Sequence, residues 1–479
     1  MSIGSRRLSC CWPRTLLATL ALVACTRRGP SAPPPPVHAD PPPPTAATTT
    51  GEVTHASSTP TCRDFRDLDV QSLPPLPSTP YTATFEQVWR TVLDKHYDPT
   101  LGCLDWPAIR IEYGQALAQA PDQAAAFEVM RQMLARLQQS HLALTPPRTK
   151  VAGEPRAAVP AGDGRLPLQI RMIDDVATVV DPAWSGHPSG IPGGAQVLAI
   201  GEHELAELLA DPPGPHLTRK VEVTFAIRRV INSWLHCPVG TKVSVRYQAL
   251  GAKAPKTRKI RCHTVEAERL SLGNIRNVPS TVEHRMVPDT TVGYITFNIW
   301  LLPLLPKIEA ALADLRARGM TALVIDLRGN PGGLGAMVVP LGRQLLSEAT
   351  DLGVMHTREG KQTFNVAAGT DPFTGPVALL VDEGTASTSE IFAQALKDRG
   401  RARIYGAVTS QGAALPSMID RLPDGAILQY VVADYKSPSG TMVEGQGVVP
   451  DTLVPETRRD FAQGRDPVLE AAVADLRTP

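Results

Sequence analysis

The sequence lacks the features that mark nucleic-acid-binding and membrane-spanning proteins. Its 48 Lys and Arg residues balance 47 Asp and Glu residues, which leaves a net charge of only +1. No basic stretch is interleaved with the few aromatic residues, so nothing favours binding to a phosphate backbone. Beyond one run near the N-terminus, no apolar stretch is long enough for a transmembrane helix. A P-loop is absent as well, because no lysine follows Gly332-Gly333 in the required pattern.

The N-terminus has the composition of an export signal. Arg6, Arg7 and Arg14 precede an apolar run at 16–24 that is too short to span a bilayer stably. The run ends in Leu22-Val-Ala-Cys25, which resembles the lipobox of bacterial lipoproteins. The resemblance implies a signal peptide over residues 1–25, an acylated Cys25, and a lipid anchor in the bacterial cell envelope, periplasmic or on the outer surface. The alternative is an ordinary cleaved secretory signal.

Residues 26–65 are rich in Pro, Thr, Ala and Ser. A segment of this composition cannot bury a core, so we predict a disordered tether that holds the folded part away from a membrane.

Cysteine is scarce, and its spacing does not suggest a zinc site. Of seven cysteines, two lie in the predicted signal and Cys25 ends it, so four remain. In an oxidising compartment four thiols suggest two disulfides, for which three pairings exist. We favour pairing within each predicted domain; four free buried thiols are the alternative. The favoured pairs are Cys62–Cys103 and Cys237–Cys262.

The remaining chain changes character twice, which predicts three blocks. Residues 66–155 repeat apolar side chains at helical intervals and predict a helical subdomain. Its first helix has capping-box spacing at Thr84-Phe-Glu-Gln87, and its third is expected to end near Ser140-His141. Residues 160–270 consist of short strands and turns, including a strand expected at 242–247, with one helix around 220–234. Residues 280–460 alternate strands and helices, among them a single strand expected at 427–433, which predicts an α/β core, and 461–479 form a C-terminal helix or tail.

Two strand-to-helix turns in the α/β block carry the most informative residues. Asp326-Leu-Arg-Gly-Asn-Pro-Gly-Gly333 follows the apolar segment 322–325, and Thr385-Ala-Ser-Thr-Ser-Glu390 follows 377–381. Such turns are where α/β proteins build active sites. Adjacent glycines can direct N–H groups at a developing oxyanion, and a neighbouring serine can be the nucleophile. These features predict a serine peptidase without a metal or organic cofactor.

From these turns outward, the sequence resembles the tail-specific (carboxyl-terminal-processing) and tricorn-type serine peptidases. The resemblance extends over roughly residues 80–455 and includes Leu422-Pro-Asp-Gly425 and Glu444-Gly-Gln-Gly-Val-Val-Pro-Asp451. It implies an α/β catalytic core with a crotonase-like sheet and helices, preceded by an N-terminal helical subdomain. The block at 160–270 resembles a PDZ-like β-rich domain, particularly along 192–202.

PDZ domains capture extended chain ends by adding a strand to a sheet edge. The resemblance therefore implies polypeptide partners, including chain ends, and excludes neither a monomer nor an oligomer. The backbone around Leu166 and Leu168 is the candidate for binding a terminal carboxylate.

The family uses two catalytic solutions. In the tail-specific branch a lysine about twenty-five residues after the serine is the base, but that count from Ser387 leads to Gly412 and no lysine is near it. Lys397, on the helix after Ser387, is expected to face solvent. The serine–lysine solution is therefore not favoured.

In the tricorn-like branch the base is a histidine that follows a serine, and a glutamate near the C-terminus completes a tetrad. Ser140, His141 and Glu444 occupy those motif positions. The resemblance assigns His141 as the base for Ser387, with Ser140 and Glu444 holding its tautomer. The implied oxyanion-hole amides are those of Thr388 and of Gly332 or Gly333.

Each of these residues also has a structural interpretation. Ser387-Thr-Ser-Glu390 has capping-box spacing, His141 could cap a helix, and Glu444 could be an ordinary surface carboxylate. Their joint occurrence in family order favours catalysis. We therefore expect an exported serine endopeptidase acting on extended or unfolded polypeptides through an acyl-enzyme. The alternative is a catalytically weak or inactive member that binds peptides or apolar ligands.

Overall fold

The computed structural model describes residues 62–147 and 164–477, except 182, 184–185, 214–216 and 273–274. These residues belong to one compact unit, 60–479. The predicted signal peptide, Cys25 and nearly all of the predicted tether lie outside the described residues. Within the described ranges, no helix combines the length and the apolar character needed to cross a membrane.

Ten helices occur in the described residues. They are α1 Thr82–Lys95, α2 Trp106–Ala118, α3 Gln123–Ala135, α4 Leu205–Ala210, α5 Lys220–Trp234, α6 Leu305–Ala317, α7 Val338–Arg343, α8 Thr388–Asp398, α9 Arg458–Ala462 and α10 Pro467–Leu476.

The strands are shorter and fall into six sheets. They are β1 Ala143–Thr145, β2 Gly164–Arg165, β3 Gln169–Ile173, β4 Val176–Asp181, β5 Gln196–Ile200, β6 His203–Glu204, β7 His236–Cys237, β8 Lys242–Gln248, β9 Lys256–Arg261, β10 His263–Thr264, β11 Glu268–Leu272, β12 Ile275–Ser280, β13 Val282–Met286, β14 Val292–Phe297, β15 Ala322–Asp326, β16 Thr350–Thr357, β17 Lys361–Val366, β18 Val377–Leu380, β19 Arg403–Gly406, β20 Ser417–Arg421, β21 Ile427–Val431, β22 Ala433–Lys436 and β23 Thr452–Leu453.

The helical block is completed by strands from the C-terminal half of the chain. Strand β1 pairs antiparallel with β21, which pairs with β20. Trp89 and Trp106 lock α1 to α2, because each indole N–H donates to the other's carbonyl, at 2.9 and 3.1 Å. Leu428 and Tyr430 of β21 belong to the same core. The predicted boundaries 66–155 and 280–460 did not anticipate a block built from two distant segments.

The start of this block differs from the prediction in two respects. Cys62 forms a disulfide with Cys103, and Phe65 is only 3% exposed, so the folded part begins before residue 66. The capping-box prediction at Thr84 is wrong, because α1 begins at Thr82. The Thr84 hydroxyl instead donates to Asp424 Oδ2 at 2.6 Å, which ties α1 to the loop between β20 and β21.

The middle block is an antiparallel sheet packed with α5. Its strand order is β3-β4-β5-β8-β9, with β6 pairing on β5, so β3 lies at one edge. The helix α5 begins and ends at the residues expected from the sequence, and its Ile227 and Ile231 lie in the core of the block. The second disulfide, Cys237–Cys262, joins β7 to the residue that follows β9.

The α/β block is a six-stranded sheet with helices on both faces. Its order is β13-β14-β15-β18-β19-β23, and all pairs except β13–β14 are parallel. Every residue of β15 is buried, as expected for a central parallel strand. Leu323 and Ile325 pack in the core with α6 and α8, whereas Val324 packs with α10. Because β15 and β18 are neighbours, the turns that follow them meet at the same edge of the sheet.

The single strand expected at 427–433 is wrong. The chain forms β21 in the sheet of the helical block and then β22 in a third sheet, ordered β17-β16-β22. Between them, the N–H groups of Val432 and Ala433 both donate to the carbonyl of Pro416, at 3.0 and 3.4 Å. Because of this break, one apolar segment contributes a strand to each of two sheets.

Candidate active site

Ser387 lies in a strained turn immediately before α8. Its φ of 57° and ψ of −123° place a non-glycine residue in left-handed backbone space, which typically costs about 1–3 kcal/mol. Two acceptors hold the turn: the Ser387 N–H donates to Ala413 O at 2.8 Å and to Glu390 Oε2 at 3.0 Å. Such strain is retained mainly where the surroundings enforce it, as at active sites.

Glu390 is the buried anchor of this turn. The capping box with Ser387 is present, but the carboxylate has further donors. It accepts N–H groups from Gly412 at 2.6 Å and Ala413 at 2.9 Å, and it also accepts the Ser410 hydroxyl. Complete burial raises the pKa of Glu390 to about 7, although these hydrogen bonds oppose the shift. No role beyond the helix cap was predicted for Glu390, although its carboxylate directly before the apolar run 391–393 was a signal for one.

His141 lies in the loop between α3 and β1. The helix ends at Ala135, so the prediction that it reaches 140–141 is wrong, and His141 itself has a φ of 58°. His141 Nδ1 is 2.7 Å from Ser140 Oγ, and that hydroxyl donates to Glu444 Oε2 at 2.8 Å. Because the single hydroxyl proton points to the carboxylate, Ser140 Oγ must accept from Nδ1–H. The other ring nitrogen, Nε2, is then unprotonated and able to take a proton.

Burial keeps this ring neutral. Although part of His141 remains exposed, desolvation lowers its pKa to about 4. Above that pH the imidazole carries one proton, which is the state a general base requires.

Glu444 is held on both oxygens. Its Oε1 accepts the Ser140 N–H at 2.8 Å, and its Oε2 accepts the Ala414 N–H at 2.8 Å in addition to the Ser140 hydroxyl. Burial raises the pKa of Glu444, and these three hydrogen bonds counteract the shift. It is therefore a fixed, partly buried carboxylate rather than a free surface group.

The segment 413–414 joins the two halves of the site. Its Ala413 carbonyl accepts the Ser387 N–H, and its Ala414 N–H binds Glu444. Ser387 and the group of Ser140, His141 and Glu444 are thus attached to adjacent residues of one segment. In the described part of the chain, no hydrogen bond links Ser387 Oγ to His141; such bonds often tighten only when substrate is present.

Two of the three expected oxyanion-hole amides remain available. Gly332 is not one of them, because its N–H donates to Asn330 Oδ1 at 3.0 Å. Within the described residues, the N–H groups of Gly333 and Thr388 have no acceptor. The Thr388 hydroxyl donates to Gly333 O at 2.9 Å and so fixes the two turns against each other.

Gly332 has a different function in packing. A Cβ at this position would lie 2.6 Å from Ser387 Cβ and 2.8 Å from Thr388 N. Only a glycine allows the first turn to approach the nucleophile so closely.

Lysine has no part in this arrangement. Gly412 occupies the position expected for a catalytic lysine, and its N–H binds Glu390. Lys397 remains partly exposed to solvent, and at the surface its Nζ lies 2.9 Å from Asp451 Oδ1 and donates to Val449 O at 2.7 Å.

Leu166 and Leu168 do not form the expected carboxylate-binding loop. Both side chains are fully buried in the core of the middle block. The Leu166 N–H donates to Leu235 O and the Leu168 N–H to Leu166 O, each at 2.8 Å, while Pro167 has no N–H. No donor at these three positions is left for a ligand.

Arg219 forms contacts that were not predicted from the sequence. It lies at the start of α5, and its Nη2 donates to Gln411 O at 2.8 Å and pairs with Glu222 at 2.7 Å. The middle block therefore contacts the loop that carries Gly412. Among the described residues, no group of three or more His, Cys, Asp or Glu side chains could hold a metal ion.

Comparisons with known proteins agree with this architecture. A family model described as peptidase family S41 matches residues 291–454, and one described as the tricorn protease C1 domain matches 77–135. The carboxyl-terminal-processing protease of Picosynechococcus sp. is 28% identical over 379 residues, which are 78% of this chain and 84% of that protein.

Two solved structures share the fold. The photosystem II D1 C-terminal processing protease is 23% identical with a TM-score of 0.50, covering 78% of this chain and 93% of that one. Mature CPAF is 15% identical with a TM-score of 0.56, covering 82% and 96%. The S41 match spans β14 to β23 and both turns, and the tricorn match spans α1–α3, so these parts of the chain are similar to the serine peptidases of family S41 and to the tricorn protease C1 domain.

Proposed function

We propose that the protein is an exported serine endopeptidase that cleaves extended or unfolded polypeptides through an acyl-enzyme on Ser387. The observation that carries the proposal is the hydrogen-bonded chain from Glu444 through Ser140 to His141 Nδ1, next to a serine held in a strained turn. A serine hydroxyl is a weak nucleophile unless a base removes its proton, and this chain leaves Nε2 free to do so.

The first half of the reaction forms the acyl-enzyme. Nε2 of His141 accepts the proton as Ser387 Oγ attacks the peptide carbonyl carbon. The oxyanion that develops is stabilised by the N–H groups of Gly333 and Thr388. His141 then gives its proton to the leaving amine, and the C–N bond breaks.

The second half releases the acyl group. Water loses a proton to His141 as its oxygen attacks the ester, and collapse of the second tetrahedral intermediate returns the proton to Ser387. In both halves Glu444 stabilises the transient imidazolium through the Ser140 hydroxyl. The low pKa of the His141 imidazole keeps the ring neutral before the reaction, so that Nε2 can accept a proton. The negative charge of the developing oxyanion then compensates the positive charge of the imidazolium.

We also propose that the middle block is PDZ-like and delivers chain ends. A cavity of about 1010 Å³ lies between this block and the catalytic core. Residues of the edge strand β3 and of α5 line it, so an extended chain could pair with β3 there. Its arginines include the exposed Arg285 and suit a terminal carboxylate, because a guanidinium binds a carboxylate through paired N–H donors.

The same proposal includes the N-terminus. The lipobox-like sequence would place an acyl chain on Cys25 and keep the peptidase in the cell envelope. Incorporation of a labelled fatty acid, and its loss in Cys25→Ser, would test this point independently of catalysis.

The decisive test of activity is cleavage of an unbiased peptide mixture, read by mass spectrometry, with a soluble form of the chain that begins at residue 60. We expect the parent to cleave and both Ser387→Ala and His141→Ala to be inactive. His284→Ala is the matched control, because its exposed imidazole lies on β13 and forms a hydrogen bond with Asp314 of α6, outside the proposed catalytic group. Cleavage that survives His141→Ala would contradict the assignment of the base. Peptide binding without turnover by the parent would instead support the binding-protein alternative.

A further inference from the structure

A buried arginine of the middle block reaches the turns of the catalytic core. Arg228 lies on α5, and its side chain is only 8% exposed. Its Nη1 donates to Asp382 Oδ2 at 2.6 Å and to Glu383 Oε1 at 3.0 Å. Both acceptors lie between the end of β18 and the Ser387 turn, so this ion pair connects two blocks at the active-site edge of the sheet.

The second oxygen of Asp382 holds both active-site turns at once. Asp382 Oδ1 accepts the Gly329 N–H at 2.7 Å and the Gly384 N–H at 2.9 Å. Gly329 belongs to the turn that ends in Gly333, whereas Gly384 begins the turn that carries Ser387. One carboxylate therefore sets the separation between the nucleophile and the oxyanion-hole turn.

The two glycines are shaped to the arginine. A Cβ at Gly329, where φ is 73°, would lie 2.9 Å from Arg228 Nη2. A Cβ at Gly384 would lie 3.0 Å from Arg228 Nη1 and 2.8 Å from Gly329 Cα. The backbone of both turns thus lies so close to the guanidinium that there is no room for a Cβ at either glycine.

Electrostatics favour the same assembly. A buried carboxylate without a cation is costly, whereas Arg228 and Arg171 lower the pKa of Asp382 to about 2. The ionised carboxylate can accept both N–H groups and the guanidinium together, which a protonated one could not do as well.

We propose that Arg228 is a positioning residue for acylation: by holding Asp382, it fixes the Ser387 turn and the Gly333 turn in their catalytic separation. The inference rests on the proposed function, because it presupposes that Ser387 is acylated. Arg228 also lines the cavity between the middle block and the core, so it stands between that cavity and the catalytic turns.

The test measures how fast a fluorophosphonate labels Ser387 and compares kcat with KM for a peptide substrate. In labelling, Ser387 Oγ displaces fluoride from phosphorus and its proton passes to His141. For Arg228→Ala we expect the labelling rate and kcat to fall about 100-fold, because misplacement by about 1 Å has such an effect, with KM changed by less than ~3-fold. Added guanidinium ion should restore part of the rate, since it can occupy the vacated position beside Asp382.

Arg229→Ala is the matched control. It is the neighbouring arginine on α5 but is exposed, so both rates should stay at the parental value. If Arg228→Ala does not fold, Arg228→Lys serves instead: it keeps the charge, loses the planar pair of donors, and should lower kcat at least about tenfold with little change in melting temperature.

A folded Arg228→Ala or Arg228→Lys with parental labelling and kcat would overturn the proposal. So would a loss confined to KM, or a loss that guanidinium does not relieve in folded Arg228→Ala. Failure of the parent to label at Ser387 is a different outcome, because it would refute the proposed function itself.

Discussion

At the scale of single residues, the site depends on hydroxyl and carboxylate groups whose hydrogen bonds have defined donors and acceptors. Ser140 is the clearest case, because it donates to Glu444 and accepts from His141. A residue in this position selects the imidazole tautomer rather than contacting the substrate.

Ser140→Ala should therefore lower kcat by about 10- to 1000-fold while KM stays nearly constant, because the tautomer is no longer enforced and the imidazolium loses its link to Glu444. Steady-state kinetics with one peptide substrate checks this expectation. Ser140→Thr, which retains the hydroxyl, is the comparison and should keep more activity than the alanine variant. A loss that appears only in KM would argue against the positioning role.

Glu390 predicts a pH dependence of stability. Its folded pKa is raised from 4.5 to about 7, so between these values the folded state holds a proton that the unfolded state has released. The contribution of this group is fully present below pH 4.5 and is lost as the pH rises through about 7.

Glu390→Gln should remove this slope. We expect the melting temperature of the variant, relative to the parent, to increase from pH 5 to pH 8, because other titrating groups cancel in the difference. Thermal unfolding at four pH values measures it. A difference that stays constant with pH would show that Glu390 titrates at its ordinary value when folded.

At the scale of elements, local patterns predicted local structure well. The helix around 220–234 is confirmed at both ends, and the strand expected at 242–247 extends only one residue further. The two strand–turn–helix units were visible because an apolar run, glycines and a helix start are all adjacent in sequence. The tetrad candidates came from the family resemblance, since none of them is conspicuous alone.

What could not be predicted are contacts between distant segments. Arg228 and Asp382 are 154 residues apart, and Ser140 and Glu444 are 304 apart. No periodicity encodes such pairs. The break after Val431 was not predicted for the same reason. In the sequence the apolar run has the pattern of a single strand, although its two parts pair with different sheets.

The shape of the Gly332 turn gives a prediction at this scale. Gly332→Ala should lower peptidase activity by at least about 100-fold, because its Cβ would displace the Ser387 turn. The position also has a φ of 90°, which disfavours alanine. Gly440→Ala is the control: its φ of 85° is similar, but no atom lies within 4 Å of its Cβ position. Equal activity losses in both variants would show that backbone strain, not crowding at Ser387, is responsible.

At the scale of the whole molecule, two disulfides fasten blocks that have their own cores. Cys62 and Cys103 are 41 residues apart in the sequence, and their disulfide closes a segment that contains α1. Replacing both cysteines by serine should lower the free energy of unfolding by about 2–4 kcal/mol, mainly because the unfolded chain gains freedom. Urea unfolding of the double variant measures the loss. Parent protein treated with a reductant should show a larger decrease, because the reductant also opens Cys237–Cys262, whereas the treated variant should lose only the contribution of that second disulfide.

The helical block that supports His141 is closed by β20 and β21, and Glu444 follows them. A ribosome makes Ser140 and His141 early, but the strands that support them and the carboxylate that orients them come almost 300 residues later. A growing chain therefore contains His141, the proposed base, long before it contains the residues that hold the imidazole in place. On the proposed mechanism, a chain that ends before Glu444 contains the histidine but lacks the carboxylate that orients it through Ser140.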